Sequence, residues 1–374
     1  MRDVIVGNAS TIWIREYIRN IHLPLGNEIT VVTLDDVPAE IVSEYKECGV
    51  RLVEVRGSGR IGKLSKMAGL IRFFKKRQNV AAVDCIEIHY PPHSAQSSLL
   101  AKLIRGVEAK KIITFWGSDI LRINENDSVK LEKLVAEADK INIATVEMRR
   151  KFKAFYGDKY DWKFADAKFG SLAYTCIKEL KTEYTKAECK RKIGLDEKLI
   201  TVAVGYNAKK SHQHLKALEA LSGLCPESKS RIQLMIHLDN VADTEYVKSI
   251  ENAAEQSGIR TVFIKGMLKL EDVAVLRAAT DIFLHTQISD ALSGSIRECI
   301  YAESILINPS WIKYREYDEA GVEYVEFSEF DEIPDIIENI LTGKITVDTN
   351  RNAELVYGLY SWDAVRKDWE ELFN

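Results

Sequence analysis

The stretch Asp281-Ile-Phe-Leu-His285-Thr-Gln-Ile-Ser-Asp290-Ala-Leu-Ser-Gly294-Ser-Ile-Arg-Glu298 reads as a β-strand, a loop of small residues and the first turns of a helix. The backbone N–H groups of such a loop can cradle a diphosphate, and the helix N-terminus adds a dipole that favours negative charge. Seven residues separate Asp290 from Glu298. That spacing puts the first acid in the loop and the second in the opening turn of the helix, where it can accept hydrogen bonds from vicinal ribose hydroxyls. Ser295-x-x-Glu298 is equally the pattern of a capping box, and Asp290 equally suits a plain turn.

The same rhythm extends outward through the chain. Strands are predicted at Val4–Val6, Ile29–Thr33, Arg51–Val55, Cys85–His89, Lys111–Phe115 and Lys140–Ala144, with helical stretches between them. A second series begins at Leu199–Val204 and continues through Ile232–His237, Thr261–Ile264, Asp281–Leu284 and Ser304–Ile307, again with intervening helices. This alternation predicts an α/β protein of two doubly wound parallel-sheet domains facing a cleft, with ligands outside the carboxyl ends of the strands. The expected division is a first domain over 1–170, a linker over 171–197, a second domain over 198–352 and a terminal segment, 353–374, that packs back onto the first.

A chain of 374 residues suits two domains at roughly 150 residues each. With 46% hydrophobic and 29% charged residues it is globular in composition, and a net charge of −4 argues against a nucleic-acid binder. No apolar run approaches the roughly 18 residues of a membrane span. The β-like start, Met1 to Gly7, predicts a cytoplasmic chain without a leader. The six cysteines are scattered without a CxxC pair, and the seven histidines suggest no metal site: Pro91 and Pro92 separate His89 from His93, and His212 and His214 have no evident third ligand.

Gly57-Ser-Gly59-Arg-Ile-Gly62 spells a dinucleotide fingerprint, but it follows the third strand instead of the first, and Asp84 opens the next strand where a ribose-binding acid should close one. The segment reads better as a basic surface. Arg56, Arg60, Lys63, Lys66, Arg72, Lys75, Lys76 and Arg77 occur with no acid among them, and on a helical wheel Phe73 falls between Lys66 and Lys76. Cations around an exposed aromatic predict attachment to an anionic membrane surface through Arg60, Lys63, Lys66, Phe73 and Lys76, against the plainer reading of a solvated basic face.

The Asp290–Glu298 segment resembles the donor-binding motif of two-domain, Rossmann-like GT-B glycosyltransferases, especially the retaining group 1 (family 4) type. Their usual Glu-x7-Glu has Asp290 in first place here and Glu298 in second. Val202-Ala-Val-Gly205-Tyr-Asn-Ala-Lys-Lys210 is similar to the strand and loop that offer Arg and Lys to the donor diphosphate, with Tyr206 where Arg is usual. Thr114-Phe-Trp-Gly-Ser-Asp119 is similar to the family's Thr-Phe-His-Gly-Ser-Asp, with Trp116 in place of His. Glu303 stands where a Gly is common, and Gly7-Asn-Ala-Ser10 lacks the double Gly of the first loop.

The resemblance implies a metal-independent hexosyltransferase that takes a nucleotide sugar, UDP being the expected base, and retains configuration. Glu298, Gly205, Lys209, Ser293, Gly294 and Ser295 would bind the donor. Asp290, Lys210 and Asp119 would act in catalysis, and Gly7, Asn8 and Trp116 would line the acceptor side. Asp119 equally suits a plain helix cap, and Lys209 and Lys210 a solvated pair of which one touches phosphate. With the basic helix, the expected acceptor is a lipid-linked or cell-surface glycan in polysaccharide biosynthesis, met by a peripheral protein at the inner membrane leaflet, with no cofactor. A nucleotide-sugar epimerase and a non-catalytic partner subunit are the alternatives.

Overall fold

The computed structural model describes residues 1–374 apart from 56–61, 94, 240–242 and 291, and the side chains of 62–64. The glycine fingerprint up to Gly62, Arg60 included, and the Lys63 side chain lie outside the described residues. The chain forms two compact units, Met1–Gly170 with Trp362–Asn374, and Ser171–Ser361.

The first unit is built on seven strands: β1 (Arg2–Val6), β2 (Glu28–Thr33), β3 (Arg51–Glu54), β4 (Cys85–His89), β5 (Lys110–Thr114), β6 (Lys140–Asn142) and β7 (Phe164–Ala165), in the order β3-β2-β1-β4-β5-β6-β7. Every pairing is parallel. Helices on both faces bury the strand side chains, so Val4, Ile5, Ile86, Ile88, Ile112 and Ile113 are all core residues. Strand order reverses between β1 and β4, which splays the loops after them apart.

The second unit has six strands: β8 (Ile200–Val204), β9 (Ile232–Leu238), β10 (Thr261–Lys265), β11 (Ile282–Leu284), β12 (Ile305–Pro309) and β13 (Val325–Phe327). Their order is β10-β9-β8-β11-β12-β13, again parallel, with the reversal between β8 and β11. The quoted stretch therefore leaves the sheet at its switch point.

Several elements differ from the sequence expectation. Residues 171–197 are no bare linker: helices Tyr174–Glu183 and Lys186–Lys192 belong to the second unit, the latter opened by a capping box between Thr185 and Glu188. The terminal segment is two helices, Thr349–Tyr360 in the second unit and Trp362–Phe373 in the first. Trp362 packs so closely on Gly170 that a Cβ there would overlap the indole, and Trp369 is fully buried with its Nε1 donating to Lys168 O at 2.8 Å. The first helix stops at Tyr17 and passes into a π-helical turn, Ile18–His22, whose i→i+5 bonds have no sequence periodicity to betray them. Glu303 has a φ of +65°, the left-handed backbone that a glycine adopts without cost.

The basic helix, Gly62–Lys75, requires a correction. Phe73 is buried at 5% exposure with its ring edge-on to Phe74, and is not an exposed aromatic among cations. Successive helical residues diverge by only about 100°, so one groove can take both rings. The following short helix, Arg77–Val80, closes over the end, with Asn79 Nδ2 donating to Phe73 O at 3.0 Å. Lys76 is exposed and Lys66 half-buried. Among the described residues, no helix is long and apolar enough to cross a membrane.

Candidate functional site

In the second unit the loops after β8 and β11 are tied together. Gln213 Nε2 donates to Thr286 O at 2.8 Å, Ile288 N donates to Ser211 O at 3.0 Å, and Thr286 Oγ1 donates to His212 O. Gly205 begins the first loop at a φ of +65°. A Cβ on it would meet His214 Nε2 at 2.8 Å and His212 Nδ1 at 3.0 Å, so both the turn and the packing demand glycine. His212 and His214 are buried and stack with centroids 5.5 Å apart. Burial holds both well below the usual imidazole range, His214 down to about 4, so two neutral rings brace this turn.

The second loop is shaped by Asp290. Its Oδ2 accepts from Ser293 N at 2.8 Å and from Tyr314 Oη at 3.0 Å, so the turn role and a directed carboxylate coexist in one side chain. Leu292 is held at a φ of +60°, a conformation that costs an L-residue roughly 1–2 kcal/mol. Ser293 then caps the helix Gly294–Tyr301, with no bond from its hydroxyl to the helix amides. That hydroxyl adjoins Tyr206, whose Oη also receives Gln287 Nε2.

Glu298 is buried at 5% exposure and does not close a capping box. Its Oε2 takes Arg277 Nε at 3.3 Å, and its Oε1 lies 3.5 Å from Ser171 Oγ. Arg277 also donates through Nη2 to Ser295 Oγ at 2.8 Å. Arg277 was missed in the sequence, although it falls on the same helix face as Leu270 and Ala274, where an arginine among apolar positions is a signal. Of the two lysines, Lys210 is carried to Asp243 Oδ2 at 2.8 Å, whereas exposed Lys209 makes no ion pair among the described residues. Gly205, Asp290, Ser293, Gly294, Ser295 and Glu298 thus gather at the carboxyl edge of this sheet, and Lys210 points to a neighbouring helix start.

In the first unit Gly7, Asn8, Trp116 and Asp119 all lie just beyond the carboxyl ends of β1 and β5. Asn8 is exposed and its Oδ1 accepts from Ser10 N at 2.9 Å, turning the chain into the first helix. Asp119 was expected to be catalytic, but it is fully buried and turned inward. Its Oδ1 accepts from Trp116 N at 3.0 Å and Gly117 N at 2.8 Å, and burial raises its pKa to about 6 despite those amides. A carboxylate so engaged organises the Trp116–Gly117 turn and holds Trp116 in place. The half-buried Trp116 indole packs against Phe169 and Tyr90, and its Nε1 donates to His89 Nδ1 at 3.4 Å.

No family model and no curated protein matches the sequence. Solved structures do match over essentially the whole length. A glycosyltransferase from Rickettsia africae superposes with a TM-score of 0.76 at 13% identity, covering 100% of this chain and 97% of that one. HepE of Anabaena, in complex with UDP and glucose, gives 0.74 at 14% identity over 99% and 98% of the two chains. Sucrose-phosphate synthase from Thermosynechococcus elongatus gives 0.74 at 12% over 100% and 98%. With two parallel sheets in these strand orders and full-length superposition on such enzymes, the chain has the GT-B glycosyltransferase fold.

Proposed function

We propose that the chain is a glycosyltransferase that moves a sugar from a nucleoside-diphosphate donor, with UDP as the expected nucleotide, to a hydroxyl of a lipid-linked or cell-surface glycan. The observation that carries this reading is the joined pair of loops at the switch point of the second unit, where the turn opened by Gly205 meets the amide-bearing start of helix Gly294–Tyr301 at one sheet edge. HepE, which shares the fold, was solved with UDP, with UDP and glucose, and with UDP-glucose.

In this reading Arg277 orients Glu298 so that Oε1 can receive a ribose hydroxyl in place of its long contact to Ser171. Asp290, with Oδ2 committed to Ser293 and Tyr314, offers Oδ1 to the donor sugar. The leaving diphosphate develops charge as the glycosidic bond breaks, and the helix amides with Lys209 stabilise it without calling on a metal. Lys210 reaches the diphosphate only by releasing Asp243. Retention is the stereochemistry expected from the family resemblance. The exposed cations Arg72, Lys75, Lys76 and Arg77 supply an electrostatic route to an anionic leaflet that does not need Phe73.

The test is a thermal-shift panel of UDP, GDP, TDP and their sugars, with NAD and NADP as controls. Stabilisation by UDP and UDP-sugars alone is the expected result. Stabilisation by NAD, or by no nucleotide, overturns the proposal.

A further inference from the structure

Beneath Trp116 the first unit buries a set of charged groups that a parallel-sheet core ordinarily excludes. Asp3 on β1, Glu87 and His89 on β4, and His22 on the π-helical turn are 0–2% exposed. His22 Nδ1 lies 3.1 Å from Asp3 Oδ2, and His22 Nε2 lies 3.0 Å from Glu87 Oε1. The other oxygen, Glu87 Oε2, takes Tyr17 Oη at 2.6 Å and His89 Nε2 at 3.2 Å. His89 Nδ1 faces Trp116 Nε1 at 3.4 Å.

The donor inventory assigns the protons. An indole nitrogen can only donate, so His89 Nδ1 must be bare and its Nε2 must carry the hydrogen given to Glu87. Each ring nitrogen of His22 faces a different carboxylate, and the Asn27 side-chain amide lies 3.0 Å from Nδ1 as well. With the Asn27 amide turned to set its oxygen against the ring, this is the arrangement of an imidazolium with a carboxylate acceptor on each side. A metal ion held by Asp3, His22 and Glu87 would instead draw both carboxylates toward one nitrogen. We propose that Trp116, His89, Glu87, His22 and Asp3 form one positioning chain, in which a charged His22 keeps Glu87 ionised and so locks His89 in the tautomer that anchors the Trp116 indole. The chain rests on the glycosyltransferase reading only in making Trp116 an acceptor-side residue.

The surroundings favour the charged form. Burial alone would lower His22, but the Glu87 charge and the bonds to Asp3 and Glu87 raise it to about 9. Asp3, Glu87, Tyr17, His89, Cys85 and the N-terminal amine are the titratable groups around this network, whereas helix Trp362–Phe373 covers it with the apolar faces of Trp369 and Phe373. The π-helical turn is what brings His22 inward.

Long-range nitrogen–proton NMR of the intact chain, labelled at histidine and tryptophan, tests the chain directly. At about pH 7.5, well above the usual imidazole range, His22 should show two protonated nitrogens and His89 a single Nε2 proton. Glu87→Gln should return His22 to the neutral form and shift the Trp116 indole resonance. Should that variant fail to fold, Trp116→Phe should move His89 Nδ1 and leave His22 charged. A neutral His22, an Nδ1-protonated His89, or a His89 indifferent to Trp116→Phe overturns the proposal. A chain with this proton pattern that binds no nucleotide sugar refutes the enzyme reading and leaves the network standing.

Discussion

Gly205→Ala is the substitution whose cost can be worked most directly from the geometry. At a φ of +65° an alanine occupies the left-handed region, which costs roughly 1–2 kcal/mol. Its Cβ would also press on His214 Nε2 and His212 Nδ1 at 2.8 and 3.0 Å. These rings are buried and stacked, so neither can swing aside freely, and overpacking of this kind costs roughly 1–3 kcal/mol. The expected total is about 3 kcal/mol. Gly343 provides the control in the same unit: its φ is +73°, but nothing lies within 4 Å of a Cβ there. Gly343→Ala should therefore lose only the backbone share, about 1–2 kcal/mol. Native-state hydrogen exchange of the β8 and β9 amides reads the opening free energy of the second unit alone. The difference between the two variants isolates the contact with the imidazoles. Equal losses in the two would refute the argument that this turn is braced by His212 and His214.

Three further outcomes follow from the buried charges and the basic helix. His22, raised to about 9 from an ordinary 6.5, holds its proton in the folded state where the unfolded chain has lost it. Its stabilisation of about 3 kcal/mol is fully present below about pH 6.5 and is lost as the pH rises through about 9, so the slope of stability over that window should vanish in His22→Gln. Urea midpoints of the two proteins across the window check this. Glu298→Ala should destabilise the second unit by about 3–5 kcal/mol by stranding buried Arg277, and the double variant with Arg277→Met should recover much of the loss, as read by the unfolding midpoint. Phe73→Ala should cost about 3–5 kcal/mol as a core truncation, whereas Lys75→Glu with Lys76→Glu should leave the melting temperature unchanged and weaken sedimentation with anionic vesicles.

The reach of each interaction along the chain decides what the sequence discloses. Ile282-Phe-Leu, Val202-Ala-Val and Ile112-Ile113 are visible as buried strands because a parallel sheet covered on both faces needs contiguous apolar residues. Gly205 is visible as a loop start for a local reason too, its backbone conformation. Glu298 is ambiguous: Ser295-x-x-Glu298 satisfies a capping box within four residues, and only Arg277, twenty-one positions earlier, decides otherwise. Phe73 fails for a related reason, since a helical wheel cannot know that the chain turns back at Arg77–Val80, where Asn79 bonds to the Phe73 carbonyl, or that the Phe73 and Phe74 rings pack edge to face. The Asp3–His22–Glu87 network lies furthest from view. Each member taken alone is a polar residue at a strand start, in a turn or in mid-strand, where local preference argues for exposure. A buried charge persists only beside its partner. Here the partners lie on three separate elements, and His22 reaches them only through a helical turn with no periodic signature. The residues whose placement local pattern explains least are therefore those for which long-range pairing has to supply the reason.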